Sequence, residues 1–84
     1  MPEIIIYTAR LCPYCTMAKR LLDRKGASYQ EIDVDSEPGL RQTLIEKSKR
    51  RTVPQIYIGD YHVGGFDDLQ ALEMKKELDP LLAD

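Results

Sequence analysis

The sequence predicts an α/β domain with the element order β-α-β-α-β-β-α. Three observations carry that prediction. A short β-branched run, Ile4-Ile5-Ile6-Tyr7-Thr8, leads into a helical pattern that begins at Pro13. A second alternation of strand and helix follows, so the chain opens as a βαβ unit, whose right-handed crossover places its two strands side by side and parallel. Later, Ile56-Tyr57-Ile58 and Tyr61-His62-Val63 are separated only by Gly59-Asp60, which is the pattern of a hairpin.

Ile4 to Thr8 is short, continuous and apolar, as suits a central strand covered on both faces. The first helix is expected from Pro13 to Lys25, with Ala18, Leu21 and Leu22 on one face and Gly26 as its stop. From Ala27 to Asp35 a second strand is expected. Its apolar residues Tyr29, Ile32 and Val34 do not keep one phase, which fits an edge. Ser36 is expected to cap a second helix, with Glu37 and Pro38 in its first turn and Leu40, Leu44 and Ile45 facing inward. The basic run Lys47, Lys49, Arg50 and Arg51 suits the negative end of that helix, and such a run can also steer an anionic peptide. Thr52-Val53-Pro54-Gln55 opens the third strand, Ile56-Tyr57-Ile58, and Tyr61-His62-Val63 forms the fourth. His62 reads as an exposed hairpin residue. Gly64-Gly65 breaks the strand, and Phe66-Asp67-Asp68-Leu69 begins a third helix with Leu69, Leu72 and either Met74 or a position next to it inward. Asp79-Pro80 is expected to close it, leaving Leu81-Leu82 as a tail that packs back.

The 84 residues suit a single domain spanning 1–84, and the formal net charge is −2 with no charged tail. That balance argues against nucleic acid and membrane surfaces as partners, and a monomer is the expected state. No run of eighteen apolar residues and no signal-peptide pattern occurs, so a reducing cytoplasm is the expected location. In that compartment two cysteines read as catalytic or metal-binding before structural.

Both cysteines lie in Leu11-Cys12-Pro13-Tyr14-Cys15-Thr16, where the first strand turns into the first helix. Cys12 falls at the N-cap and Pro13 at the first helical position, where a missing N–H is no loss. Cys15 then supplies the backbone N–H that usually meets an N-cap side chain. That N–H and the helix dipole both favour a thiolate at Cys12, the reactive form of the residue. Cys15 would stand one turn behind it as a second, more shielded thiol. A mononuclear zinc site needs four ligands, which two cysteines and one histidine cannot supply, so no metal is expected.

Cys-x-x-Cys beside a βαβ unit is a thioredoxin-like pattern. Three motifs narrow it. Cys12-Pro13-Tyr14-Cys15, Thr52-Val53-Pro54 and Gly64-Gly65-Phe66-Asp67-Asp68 resemble the active-site, cis-proline and glutathione-binding motifs of dithiol glutaredoxins, in the same order along nearly the whole chain. The resemblance implies a thioredoxin-like fold, with a four-stranded mixed sheet flanked by three helices, and a cis peptide before Pro54. It implies a glutathione-dependent thiol–disulfide oxidoreductase that holds no bound cofactor and uses glutathione as co-substrate. Its partners would be glutathionylated and disulfide-containing proteins, ribonucleotide reductase among those the family suggests.

Carried across, the resemblance makes Cys12 the nucleophile and Cys15 the resolving thiol. Glutathione would lie against Arg10, Pro13, Tyr14, Thr52, Val53, Pro54, Gly65, Phe66 and Asp67. The backbone of Val53 would pair with its cysteinyl part like an added strand, and Phe66 and Asp67 would hold its γ-glutamyl end. Asp67 alone would read as an ordinary helix cap; the other two motifs lift it. Two positions depart from the family pattern. Ala9 stands where relatives carry a lysine, leaving Arg10 as the nearby charge, and Lys49 stands where many have a helix-ending glycine. A left-handed lysine there would be strained by roughly 1 kcal/mol. Two other readings remain at this point: a glutaredoxin-like carrier reduced by thioredoxin reductase, against which the Gly-Gly-x-Asp-Asp element stands, and an iron–sulfur cluster carrier, against which Pro13 stands.

Overall fold

The computed structural model describes residues 2–83. Strand β1 (Ile4–Thr8) is an inner strand of a four-stranded mixed sheet ordered β2 (Gln30–Asp33), β1, β3 (Gln55–Ile58), β4 (Tyr61–Gly64). It pairs in parallel with β2, setting Ile6 opposite Glu31, and antiparallel with β3, setting Ile6 opposite Ile56. Strand β4 completes the hairpin, with Tyr57 opposite His62 and an irregularity in the ladder between Ile56 and Tyr57. The expected central and edge positions of the first two strands are therefore those observed.

Alternation along β1 divides the core between two faces. Ile4 and Ile6 pack with Ala18, Leu21 and Leu22 of α1 (Pro13–Arg24), Leu69 of α3 (Phe66–Met74), and Leu78 and Leu82 of α4 (Leu78–Ala83). Tyr7, on the other face, packs with Val34, Tyr57 and Leu44 of α2 (Leu40–Ser48). Among the described residues, no helix is long and apolar enough to cross a membrane.

Several boundaries differ from those the sequence suggests, each for a local reason. Strand β2 covers only Gln30–Asp33 rather than Ala27 to Asp35, and beyond it Val34 still donates to the Thr8 carbonyl at 2.8 Å. Ser36 does not cap α2. Its hydroxyl closes a turn onto the Asp33 carbonyl at 2.7 Å, and Gly39, at a φ of 89°, interrupts any right-handed helix before Leu40. Helix α3 stops at Met74, because Lys76 turns left-handed with a φ of 61° and Glu77 donates back to the Leu72 carbonyl at 2.8 Å. Asp79-Pro80 accordingly starts a fourth short helix instead of ending the third, since a proline in a first turn gives up no helical hydrogen bond. Met74 is exposed, not inward, whereas Leu78 and Leu82 are buried one turn apart. Gly64 belongs to β4 rather than following it. Lys49 is left-handed at the end of α2, with a φ of 61°.

Candidate active site

Cys12 is the N-cap of α1, in an extended conformation that lets its side chain fold over the helix start. Its Sγ accepts the backbone N–H of Cys15 at 3.1 Å, and Pro13 opens the helix, as the spacing requires. The two cysteines are joined in a disulfide, with Cα atoms 5.2 Å apart. Cys15 is buried and Cys12 partly exposed, so the two sulfurs differ in access as well as in position. When the pair is reduced, the same N–H and the helix dipole face the Cys12 sulfur and favour its thiolate.

Across from the cysteines stands the loop between α2 and β3. The Val53–Pro54 peptide is cis, as the motif implies, and the Val53 carbonyl oxygen lies 3.8 Å from Cys12 Sγ. Residues far apart in sequence thus meet because β3 lies beside β1, which ends just before the cysteines.

A cavity of about 260 Å³ adjoins this contact. Of the residues expected to meet a substrate, Tyr14, Thr52, Val53, Pro54, Gly65, Phe66 and Asp67 line it together. The rings of Tyr14 and Phe66 stack with centroids 6.4 Å apart, bringing α1 and α3 together there. Cys12 and Cys15 lie next to the cavity without lining it, and Pro13 and Arg10 are exposed outside it. Between Arg10 and Cys12, Leu11 takes a φ of 53° and is fully exposed. Ala9 is partly buried and packs against the core cluster that contains Tyr7, Val34, Leu44 and Tyr57.

Two further residues line the cavity: Asp68, which the third motif contains without an assigned role, and Arg50, from the basic run after α2. The Asp68 carboxylate accepts the N–H of Gly65, the residue before α3, at 2.9 Å, and the Arg50 guanidinium at 3.1 Å. The Gly65 N–H foremost, then Arg50, hold that carboxyl below the usual carboxylate range against the opposing effect of partial burial. An acid three residues after a cap, reaching back to its N–H, is half of a capping box, and that spacing was the available signal. Glycine at 65 has no side chain to return the bond. Gly64 explains the first glycine of the motif: at a φ of 110°, a Cβ there would collide with the Asp68 carboxylate and lie 2.9 Å from Arg50 Nη1.

His62 also departs from expectation, being half-buried rather than exposed. Its ring stacks on Tyr57 with centroids 4.5 Å apart, and its Nε2 lies 2.7 Å from Gln55 Oε1. Burial first, then the nearby Arg50 charge, lower its pKa. Lys47, at the end of α2, places its ammonium 4.4 Å from the centroid of the same Tyr57 ring. Among the described residues, no three His, Cys, Asp or Glu side chains are grouped to hold a metal ion.

The sequence profile of glutaredoxins matches residues 4–63, a span that includes both cysteines and the cis-proline loop. The chain belongs to the glutaredoxin family. It is 55% identical over 83 residues to a glutaredoxin of Pseudomonas aeruginosa, covering 99% of each chain. The solution structure of a Brucella melitensis glutaredoxin, 56% identical, superposes with a TM-score of 0.87 over 98% of this chain and 89% of its own. A crystal structure of a buckwheat glutaredoxin–glutathione complex, 32% identical, gives 0.90 over 98% of this chain and 77% of its own. Family and geometry together make this chain a thiol–disulfide oxidoreductase with a thioredoxin-like fold, its reactive centre the Cys12–Cys15 pair.

Proposed function

We propose that this glutaredoxin uses glutathione as its reductant and reduces glutathionylated and disulfide-bonded proteins. The observation that carries the proposal is the open groove between the cis-proline loop and the first turn of α3, whose Val53 wall reaches Cys12 Sγ through its carbonyl oxygen at 3.8 Å. The buckwheat relative, with the same fold, was solved in complex with glutathione.

Cys12 thiolate attacks the glutathione sulfur of a protein–glutathione mixed disulfide. The bond to the protein sulfur breaks, that sulfur leaves as a thiolate and takes up a proton, and Cys12 is left glutathionylated. A second glutathione thiolate attacks the glutathione sulfur held on Cys12, so glutathione disulfide leaves and the Cys12 thiolate returns. With a protein disulfide, Cys12 thiolate attacks one sulfur, the protein S–S bond breaks, the other sulfur leaves as a thiolate and takes up a proton, and Cys12 is left in a mixed disulfide with the protein. Cys15 then attacks Cys12, releasing the reduced protein and closing the Cys12–Cys15 bond. Two glutathione molecules reopen that bond and leave as glutathione disulfide.

In this reading the backbone of Val53 pairs with the cysteinyl residue of glutathione, and Thr52 and Pro54 form the rest of that wall. N–H groups of Phe66 and Asp67 at the start of α3 receive the γ-glutamyl carboxylate, beside Gly65, and the Asp67 side chain receives its ammonium. Tyr14 stacks along the peptide. Arg10 and Pro13, outside the cavity, act on the approach to Cys12 rather than on the seated peptide. A reducing cytosol, a monomeric state and targets such as ribonucleotide reductase belong to the same proposal.

Reduction of a small glutathione mixed disulfide, coupled to glutathione reductase, tests it. Turnover that saturates with the mixed disulfide supports the proposal. No turnover there, together with reduction by thioredoxin reductase, overturns it.

A further inference from the structure

Gln55 is fully buried at the start of β3, one residue past the cis proline. A primary amide offers two N–H donors at one end and an acceptor oxygen at the other, and which end faces which neighbour follows from the neighbours. Gln55 Nε2 lies 3.1 Å from the Thr52 carbonyl oxygen and 3.2 Å from Thr52 Oγ1. A carbonyl can only accept, so the nitrogen end faces Thr52. The oxygen end therefore faces His62, 2.7 Å from its Nε2. That oxygen can only accept, so His62 Nε2 carries the hydrogen. The His62 ring is in turn set by its stack on Tyr57, a buried residue of β3 paired directly opposite it.

Hydrogen bonds therefore run from the β3–β4 hairpin through His62 and Gln55 to Thr52, which is itself outside any strand and on the cavity wall. We propose that His62 and Gln55 are positioning residues, a relay that holds the Thr52–Val53 wall of the groove in the shape that receives glutathione. The proposal rests on the glutathione reading of that groove. Neither side chain lines the cavity, so each acts through Thr52. A rigid wall pre-forms the backbone that pairs with the peptide, and the ordering is then not repeated at each binding event. A buried amide that merely satisfied itself would affect stability and leave the groove unchanged.

Two variants of the whole protein separate these roles. Gln55→Met keeps approximate length without hydrogen bonds, and His62→Phe keeps a ring over Tyr57 but loses the donor. His62→Phe also serves if Gln55→Met fails to fold. For each, KM and kcat for a small glutathione mixed disulfide are measured, together with ¹⁵N order parameters of the reduced protein. Each variant should raise KM by about three- to tenfold, the range of one lost hydrogen bond. The kcat should stay within about twofold, as expected when binding alone is weakened. Order parameters at Thr52 and Val53 should fall from the rigid-backbone value of about 0.85 while those of β1 hold. An unchanged KM in a folded variant overturns the relay, as does a fall in kcat at constant KM. If the parent protein itself fails to turn over the mixed disulfide, the glutathione reading fails, and the order parameters still decide the relay: unchanged values overturn it.

Discussion

The guanidinium of Arg50 meets the carboxylate of Asp68 at 3.1 Å, joining the loop after α2 to the first turn of α3. Both side chains are about half exposed, and their charge pair alone contributes little in water. The other bond of Asp68, to the Gly65 N–H, satisfies a backbone donor at the helix start, so the two residues are not equivalent.

Asp68→Ala should therefore destabilise the protein by about 1 kcal/mol, the usual cost of a lost helix cap, and Arg50→Ala by about half of that or less. Both should raise KM for a glutathione mixed disulfide, since both line the cavity. Urea denaturation gives the stabilities. Equal losses for the two variants would show that the ion pair, not the cap, is the main contribution.

Stability should fall with pH in two steps. His62 has a lowered pKa when folded, so the unfolded chain binds its proton more readily and stability declines as pH falls below about 6.5. Asp68 and Glu31 also have lowered pKa values, Asp68 chiefly through the Gly65 N–H and Glu31 chiefly through the Thr8 hydroxyl. Their contribution is present above about pH 4 and is lost as pH falls through their folded values. Denaturation midpoints across pH should show both limbs, with His62→Phe removing the first and Asp68→Asn weakening the second.

Lys49→Gly should stabilise the protein by about 0.5–1 kcal/mol, because a left-handed position at a helix end is strained for any residue with a Cβ. Lys76→Gly, at the same φ of 61°, should behave alike. A chemical denaturation midpoint that does not rise for either would show that their side chains offset the strain.

Leu78→Ala should cost about 2–5 kcal/mol by opening the fully buried core beneath α4, and Met74→Ala less than about 0.5 kcal/mol. Thermal or urea melts compare the two directly. Similar losses would mean that α3 runs on past Met74 and buries it.

Wherever the local signal and the tertiary outcome agree, the sequence was readable. Ile4–Thr8, the cysteines at a helix start and the Gly59-Asp60 hairpin each follow from period and turn chemistry, and the expected inward face of α1, Ala18, Leu21 and Leu22, is buried. The cis peptide before Pro54 and the lining by Phe66 and Asp67 came from family resemblance, because no local pattern brings residues 12, 53 and 67 together. What stayed hidden depends on partners distant in sequence. In sequence Arg50 is one more charge at a helix end, and its pairing with Asp68 is set by the fold; His62 is one residue of a short hairpin, and Tyr57 and Gln55 cover it only in the folded sheet. The division between α3 and α4 turns on a left-handed lysine at 76, which no residue preference announces.

The proposed chemistry makes Cys12 the nucleophile and Cys15 the resolving thiol. The most direct measurement compares Cys12→Ser with Cys15→Ser in reduction of a small glutathione mixed disulfide coupled to glutathione reductase. Cys12→Ser should be inactive, while Cys15→Ser should retain turnover of that substrate and lose only the reduction of protein disulfides. Equal loss of activity in both variants would contradict the assignment.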